Sequence, residues 1–211
     1  MKEKPKQSLE NQLQMARPRR SEVKRVPLTP EEKAFLGEIM DKAVAAEKAG
    51  KLAEALGYYT DYKNELNKIK EEKEQIEKIK NTRQKFIEWL SSIFIEDTNI
   101  ESWTDANVDF SKYPKIIVDS PIKIEHKKNC TEMPENLEID GEFSLKGTSL
   151  GDLPNNLHVR GNLNLLDTDI VVLPDDIRVD CKVISNASKT KLRESVLKAI
   201  NEGRVKGLEE Q

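Results

Sequence analysis

Few side chains in this 211-residue chain are suited to nucleophilic or metal chemistry: His126, His158, Cys130 and Cys181. A nucleophile needs a base within hydrogen-bond reach, and a metal needs several donors at a recurrent spacing. Neither pattern is written here, because the histidines and cysteines lie in separate segments with no Cys-x-x-Cys or His-Glu-x-x-His arrangement and no phosphate-cradling glycine loop. The expectation is a protein with no catalytic residue, no metal and no cofactor. What does recur is charge. Glu138, His158 and Arg178 stand twenty residues apart, as do Asp140, Arg160 and Asp180, Glu142, Asn162 and Lys182, and Ser144, Asn164 and Ile184. Polar groups set in columns of alternating sign do the chemistry of recognition, or of pairing with one another. The candidate partner-binding residues are therefore Glu138, Asp140, Glu142, His158, Arg160, Asn162, Asn164, Arg178, Asp180 and Lys182.

The columns exist because the sequence repeats. Copies of twenty residues start at Met133, Leu153 and Leu173, each opening on Met-Pro or Leu-Pro, and a degenerate copy precedes them from Ile116. Within a copy Leu157, Val159, Gly161, Leu163 and Leu165 alternate with polar residues, the period of a strand with one buried face. One such strand per copy has no local partner, so the copies should stack in parallel about 4.8 Å apart. Thr148 and Thr168 are expected to bond backbone inside the bends, Cys130 takes an inward leucine position, and Cys181 takes the small position held by glycine in the earlier copies.

This pattern resembles the leucine-rich repeat over residues 114–186, and its length and Leu-Pro pair look most like the short class found in bacterial proteins, including secreted effectors that place a helical hairpin before the array. The resemblance implies a solenoid whose sheet surface binds a protein partner. It departs from the family in carrying Thr where Asn is usual and in having few copies.

The first half of the chain reads as helical. Thr29, Pro30 and Glu32 spell a capped helix start, Gly50 a stop, and the stripe from Leu52 through Tyr59, Tyr62, Leu66 and Ile69 a second, antiparallel helix. The apolar positions Ile76, Ile79, Phe86, Leu90 and Ile93 then lack a partner, which favours a break near Asn81 and Thr82 with a third helix folding back; a weak homodimer through residues 66–95 is the other outlet. Leu192, Val196, Leu197 and Ile200 form the face of a C-terminal capping helix.

The expected fold class is thus α+β, an N-terminal helical hairpin or bundle followed by a short parallel β-solenoid capped by a C-terminal helix. The expected boundaries are a disordered basic tail at 1–28, the hairpin region at 29–96, the array at 97–187, the cap at 188–204 and a flexible tail at 205–211. In the first 28 residues eight basic side chains face three acidic ones, a net +5, against −3 for the whole chain. That balance argues against a protein built to bind nucleic acid and leaves the tail as the one segment for phosphate or a membrane surface. No secretory signal or membrane span is legible, so a cytoplasmic protein is expected, with non-classical export as an alternative. The functional expectation is a non-catalytic protein-interaction module or scaffold.

Overall fold

The computed structural model describes residues 5–18, 27–94, 99–130 and 132–211. It divides into two compact units, residues 1–77 and 78–211.

In the first unit, α1 (Pro5–Ala16) is followed by α2 (Pro30–Lys48) and by the start of α3 (Leu52–Ile93). The capping box read from the sequence is present: Glu32 N–H donates to Thr29 Oγ1 at 3.2 Å, and Thr29 N–H donates to the Glu32 carboxylate at 2.7 Å. Gly50, at φ +74°, takes the left-handed conformation that ends α2. One cluster joins Leu36, Tyr62 and Leu66 between α2 and α3, and a second joins Ala43, Ala46, Ala55 and Tyr59 with Leu13 of α1. The expected disordered tail is corrected in part, since residues 5–16 are helical and Leu13 is buried. Of its cations Lys2, Lys4, Arg19, Arg20, Lys24 and Arg25 lie outside the described residues, as does Ile95 at the end of the 66–95 stretch.

The break expected near Asn81 and Thr82 is absent: α3 runs for 42 residues without interruption. Asn and Thr cost a helix interior only about half a kcal/mol each and neither removes a hydrogen bond, whereas a proline would have broken it. Of the apolar positions left without a partner, Phe86, Leu90 and Ile93 are buried in the second unit's own core, with Trp89, Phe94, Trp103 and Phe110 packed around them. Ile76 stays half exposed.

The second unit continues through α4 (Ile100–Asn107) into β1 (Val108–Asp109), β2 (Ile116–Val118), β3 (Ile122–Lys123), β4 (Leu137–Ile139), β5 (Phe143–Ser144), β6 (His158–Val159), β7 (Leu163–Asn164) and β8 (Arg178–Ser185), then α5 (Thr190–Asn201) and β9 (Val205–Glu210). The solenoid expectation is overturned. The strands form one nine-stranded mixed sheet in the order β1-β2-β4-β6-β8-β7-β5-β3, with β9 also paired to β8. Two features set this arrangement. β1 joins β2 antiparallel, and the eight-residue β8 pairs with β6 at one end and β7 at the other, uniting both strand series. The long helix also stands in the middle of the helical order, in place of a short N-terminal hairpin.

Parallel pairs keep the twenty-residue register, with Glu138 opposite His158 and His158 opposite Arg178. Inward positions Leu137, Ile139, Leu157, Val159, Leu163 and Leu165 are fully buried in one core, each contributing about 1.5–3 kcal/mol. α5 adds Leu192, Val196 and Ala199 to that core. Residues 205–210, expected as a tail, return as β9 parallel to β8, with Val205 against Val179 and Leu208 against Val183.

Gly161 marks where the copies approach most closely. A Cβ there would sit 2.4 Å from the carbonyl carbon and oxygen of Gly141, backbone that cannot step aside. Gly161→Ala should therefore cost about 1–3 kcal/mol, read as a lower melting temperature, while Gly151→Ala, with open space around it, should leave melting nearly unchanged.

Candidate functional site

The ten candidate residues divide between one connected network and its surroundings. Glu138 is the centre. It lies on β4 with 4% of its surface exposed, on a strand whose neighbours Leu137 and Ile139 are fixed in the core. A carboxylate so placed must be compensated, and three cationic or polar groups do so. Lys115 Nζ donates to Oε2 at 2.7 Å, Arg160 donates to Oε1 through Nη2 at 2.6 Å and Nε at 3.0 Å, and His158 Nδ1 lies 3.7 Å from Oε2. Burial pushes the Glu138 carboxyl upward, but the bonds from Lys115 and Arg160 outweigh it and hold the group below the usual carboxylate range. The Arg160 guanidinium is raised in turn, chiefly by its bond to Glu138.

From this centre the network runs outward across the strands. His158 Nε2 lies 3.1 Å from Asp180 Oδ2, and Arg178 Nε donates to Asp180 Oδ1 at 2.9 Å. Burial acts to raise the Asp180 carboxyl, while the bonds from Arg178 and His158 lower it, and the net shift is downward. The pairing is diagonal. Arg160 and Asp140 share a column, yet their nearest charged atoms are 3.8 Å apart, while Arg160 reaches Glu138 on the next strand at 2.6 Å. A long guanidinium spans the diagonal of a sheet easily, and the more buried carboxylate attracts it more strongly because less water screens the pair.

Glu142 sits at the rim, 3.9 Å from Lys123. Asn162 Oδ1 accepts the Lys182 backbone N–H at 3.1 Å, and the Lys182 ammonium lies 3.4 Å from Glu209. Asn164 Oδ1 accepts the N–H of Leu166, two residues on, at 3.1 Å. The expected surface is thus brought together for Glu138, Asp140, His158, Arg160, Arg178 and Asp180, with Glu142, Asn162 and Lys182 beside it and Asn164 committed to a local turn.

The side-chain ladder of the bends was not found by reading the repeat. Thr168 Oγ1 does donate to the Leu165 carbonyl at 2.9 Å, but Thr148 Oγ1 is buried without a hydrogen bond among the described residues. The ladders run instead through residues with left-handed or flanking backbone. Asn136 and Asn156 have φ +58° and +55°, and Asn156 Nδ2 donates to Asn136 Oδ1 at 2.9 Å while its backbone N–H donates to Asp176 at 2.9 Å. A second ladder joins Asp167, at φ +55°, to Asn186 by two bonds of 2.8 and 2.9 Å. The legible signal was Asn, Asn and Asp at equal intervals behind each Pro, residue types that accept positive φ and bond neighbouring backbone.

Of the remaining candidates for chemistry, Cys130 is buried, and burial raises its thiol. Cys181 is exposed, with Sγ 3.6 Å from the Arg160 carbonyl. His126 takes φ +58° at a turn beside Gly147. The described residues hold no cluster of three metal-ligating side chains and no helix long and apolar enough to cross a membrane. Compared with protein-family models, curated proteins and solved structures, the chain gives no match.

Glu138 carries a directional prediction. A carboxyl lowered by folding contributes stability that is present above the ordinary carboxylate range and is lost as pH falls through its folded value. Glu138→Gln should cost about 1–3 kcal/mol at neutral pH in denaturant unfolding, and the gap to wild type should close as the solution is acidified below the ordinary carboxylate range.

Proposed function

We propose that the polar face of β4, β6 and β8 is a non-catalytic protein-binding surface. The observation that carries this reading is the buried Glu138 carboxylate, which holds exposed charges in place around it. The Arg160 side chain is half exposed and that of Arg178 two-thirds exposed, yet each has a fixed carboxylate partner at 2.6 and 2.9 Å. Side chains already ordered before association lose less entropy on binding, and that favours a face so prepared over one of free lysines.

The mixture of signs selects the partner class. Asp140, Glu142 and Asp180 lie among Arg160, Arg178 and Lys182, so a polyphosphate backbone would meet repulsion at every second position, whereas a protein surface of alternating charge would match. The face therefore fits a protein partner carrying acidic and basic side chains in turn. The basic N-terminal segment offers less for a competing phosphate or lipid reading. Arg17, the tail cation with a described side chain, is already paired to Glu47.

The test is a charge reversal at the rim, away from the Glu138 centre. Arg178→Glu with Lys182→Glu should melt close to wild type yet lose the proteins that the intact chain retains on an affinity column, with the loss reproduced at raised salt on the intact chain. Retention of the same proteins by both chains would exclude the face.

A further inference from the structure

We propose that the outer edge of β9 pairs with the same edge of a second copy of this chain, antiparallel about a two-fold axis at Leu208, so that the sheet continues across a homodimer. The proposal concerns the second unit and is independent of the polar face.

β9 is hydrogen-bonded to β8 on one side. Gly207 to Glu210 lie opposite Lys182 to Ser185, and Gln211 N–H donates to the Ser185 carbonyl at 3.1 Å. In a parallel ladder alternate residues bond to a given neighbour, so that bond sets the phase. Gly207, Glu209 and Gln211 turn their backbone groups to β8, while Leu208 and Glu210 turn both N–H and C=O outward. The Lys206 carbonyl also points outward, because it lies opposite the Gly207 N–H across a planar peptide. Among the described residues no hydrogen bond reaches these outward groups. Such a row is a template for another strand.

The side chains select which strand. Charges on an edge ordinarily turn other strands away, but the order Lys206, Leu208, Glu210 is complementary to itself when reversed. With the axis at Leu208, each Leu208 N–H donates to the Leu208 carbonyl of the other copy, and each Glu210 N–H donates to the other Lys206 carbonyl. Lys206, exposed and without an ion pair among the described residues, then stands directly opposite Glu210 of the second copy. Glu209 meets Gly207 of the second copy and keeps the Lys182 ammonium 3.4 Å away. Moving the axis by one residue loses this match. At Glu209 it sets two carboxylates against each other, and at Gly207 it leaves Lys206 opposite Leu208.

α5 supplies an apolar contact at the same axis. Because β9 is parallel to β8, the helix that joins them runs back antiparallel to both. Arg193 Nε lies 3.3 Å from Glu210 Oε1, so this stripe of α5 lies on the β9 side. Leu197 is next on the stripe, about 6 Å along the helix, and Leu208 is two residues from Glu210, about 7 Å along the strand, so the two leucines are level. Leu197 is 44% exposed, although Leu192, Val196 and Ala199 of the same helix are buried. An axis that reverses a strand and brings its edge to face itself is perpendicular to the sheet. It therefore sets both α5 helices on one face, with each Leu197 beside the seam and level with the paired Leu208 side chains.

Sedimentation velocity on the full chain over a range of concentrations tests the pairing, and a monomer–dimer equilibrium is expected. Lys206→Glu and Glu210→Lys should each weaken the dimer about tenfold or more, because each sets like charges opposite one another at both ends of the seam. An equimolar mixture of the two variants should recover the dimer, since unlike charges again face each other. Leu197→Glu, at an exposed helix position, should weaken association with circular dichroism unchanged, and it covers the case in which an edge variant does not fold. A chain that stays monomeric at about 0.5 mM would overturn the proposal. So would a dimer that none of these substitutions weakens, or a mixture no tighter than its two components.

Discussion

A buried carboxylate on a sheet face is the constraint around which the second unit's surface is arranged. Glu138 sits between two core residues of a three-residue strand, and nearly all its surface is removed from water. An unpaired charge in that position would cost several kcal/mol, so the cations of neighbouring segments are drawn to it: Lys115 from just before β2, and Arg160 from just after β6. Once Arg160 is committed to Glu138, Asp140 is left at the rim, and His158 bridges toward Asp180. The order of the face follows from one desolvated group.

The twenty-residue period makes this possible, because it brings Glu138, His158 and Arg178 side by side and sets the glycine column close enough for backbone to pass backbone. Much of that was legible in the sequence. The inward leucines, the lateral neighbours and the capping box at Thr29 all follow from local rules of period and capping, which act over a few residues. The candidate face was legible as a set of residues but not as a set of bonds: columns predict lateral neighbours, whereas the length of arginine and the unequal burial of two carboxylates decide which neighbour is chosen.

What the sequence did not yield was decided over longer distances. Nothing local distinguishes a helix that stops at Asn81 from one that continues; the continuation depends on Phe86, Leu90 and Ile93 having a core to enter. Residues 205–210 contain two charges at their end and one near their start, a poor strand by local preference, yet Val205 and Leu208 complete the edge of β8. The antiparallel β1, which makes the sheet mixed, and the long β8, which joins the two strand series, likewise depend on pairings between distant segments. In the first unit, Leu13 stands in a segment rich in charge and glutamine, and its burial depends on a notch formed by α2 and α3.

The most direct measurement of the central claim is a double-mutant cycle in denaturant unfolding with Glu138→Gln, Arg160→Gln and both together. If the buried carboxylate organises the face, the two substitutions should be strongly non-additive, with a coupling of about 1–3 kcal/mol at neutral pH. Additivity within about 0.5 kcal/mol would mean that Arg160 and Glu138 act independently and that the face is not built around this charge.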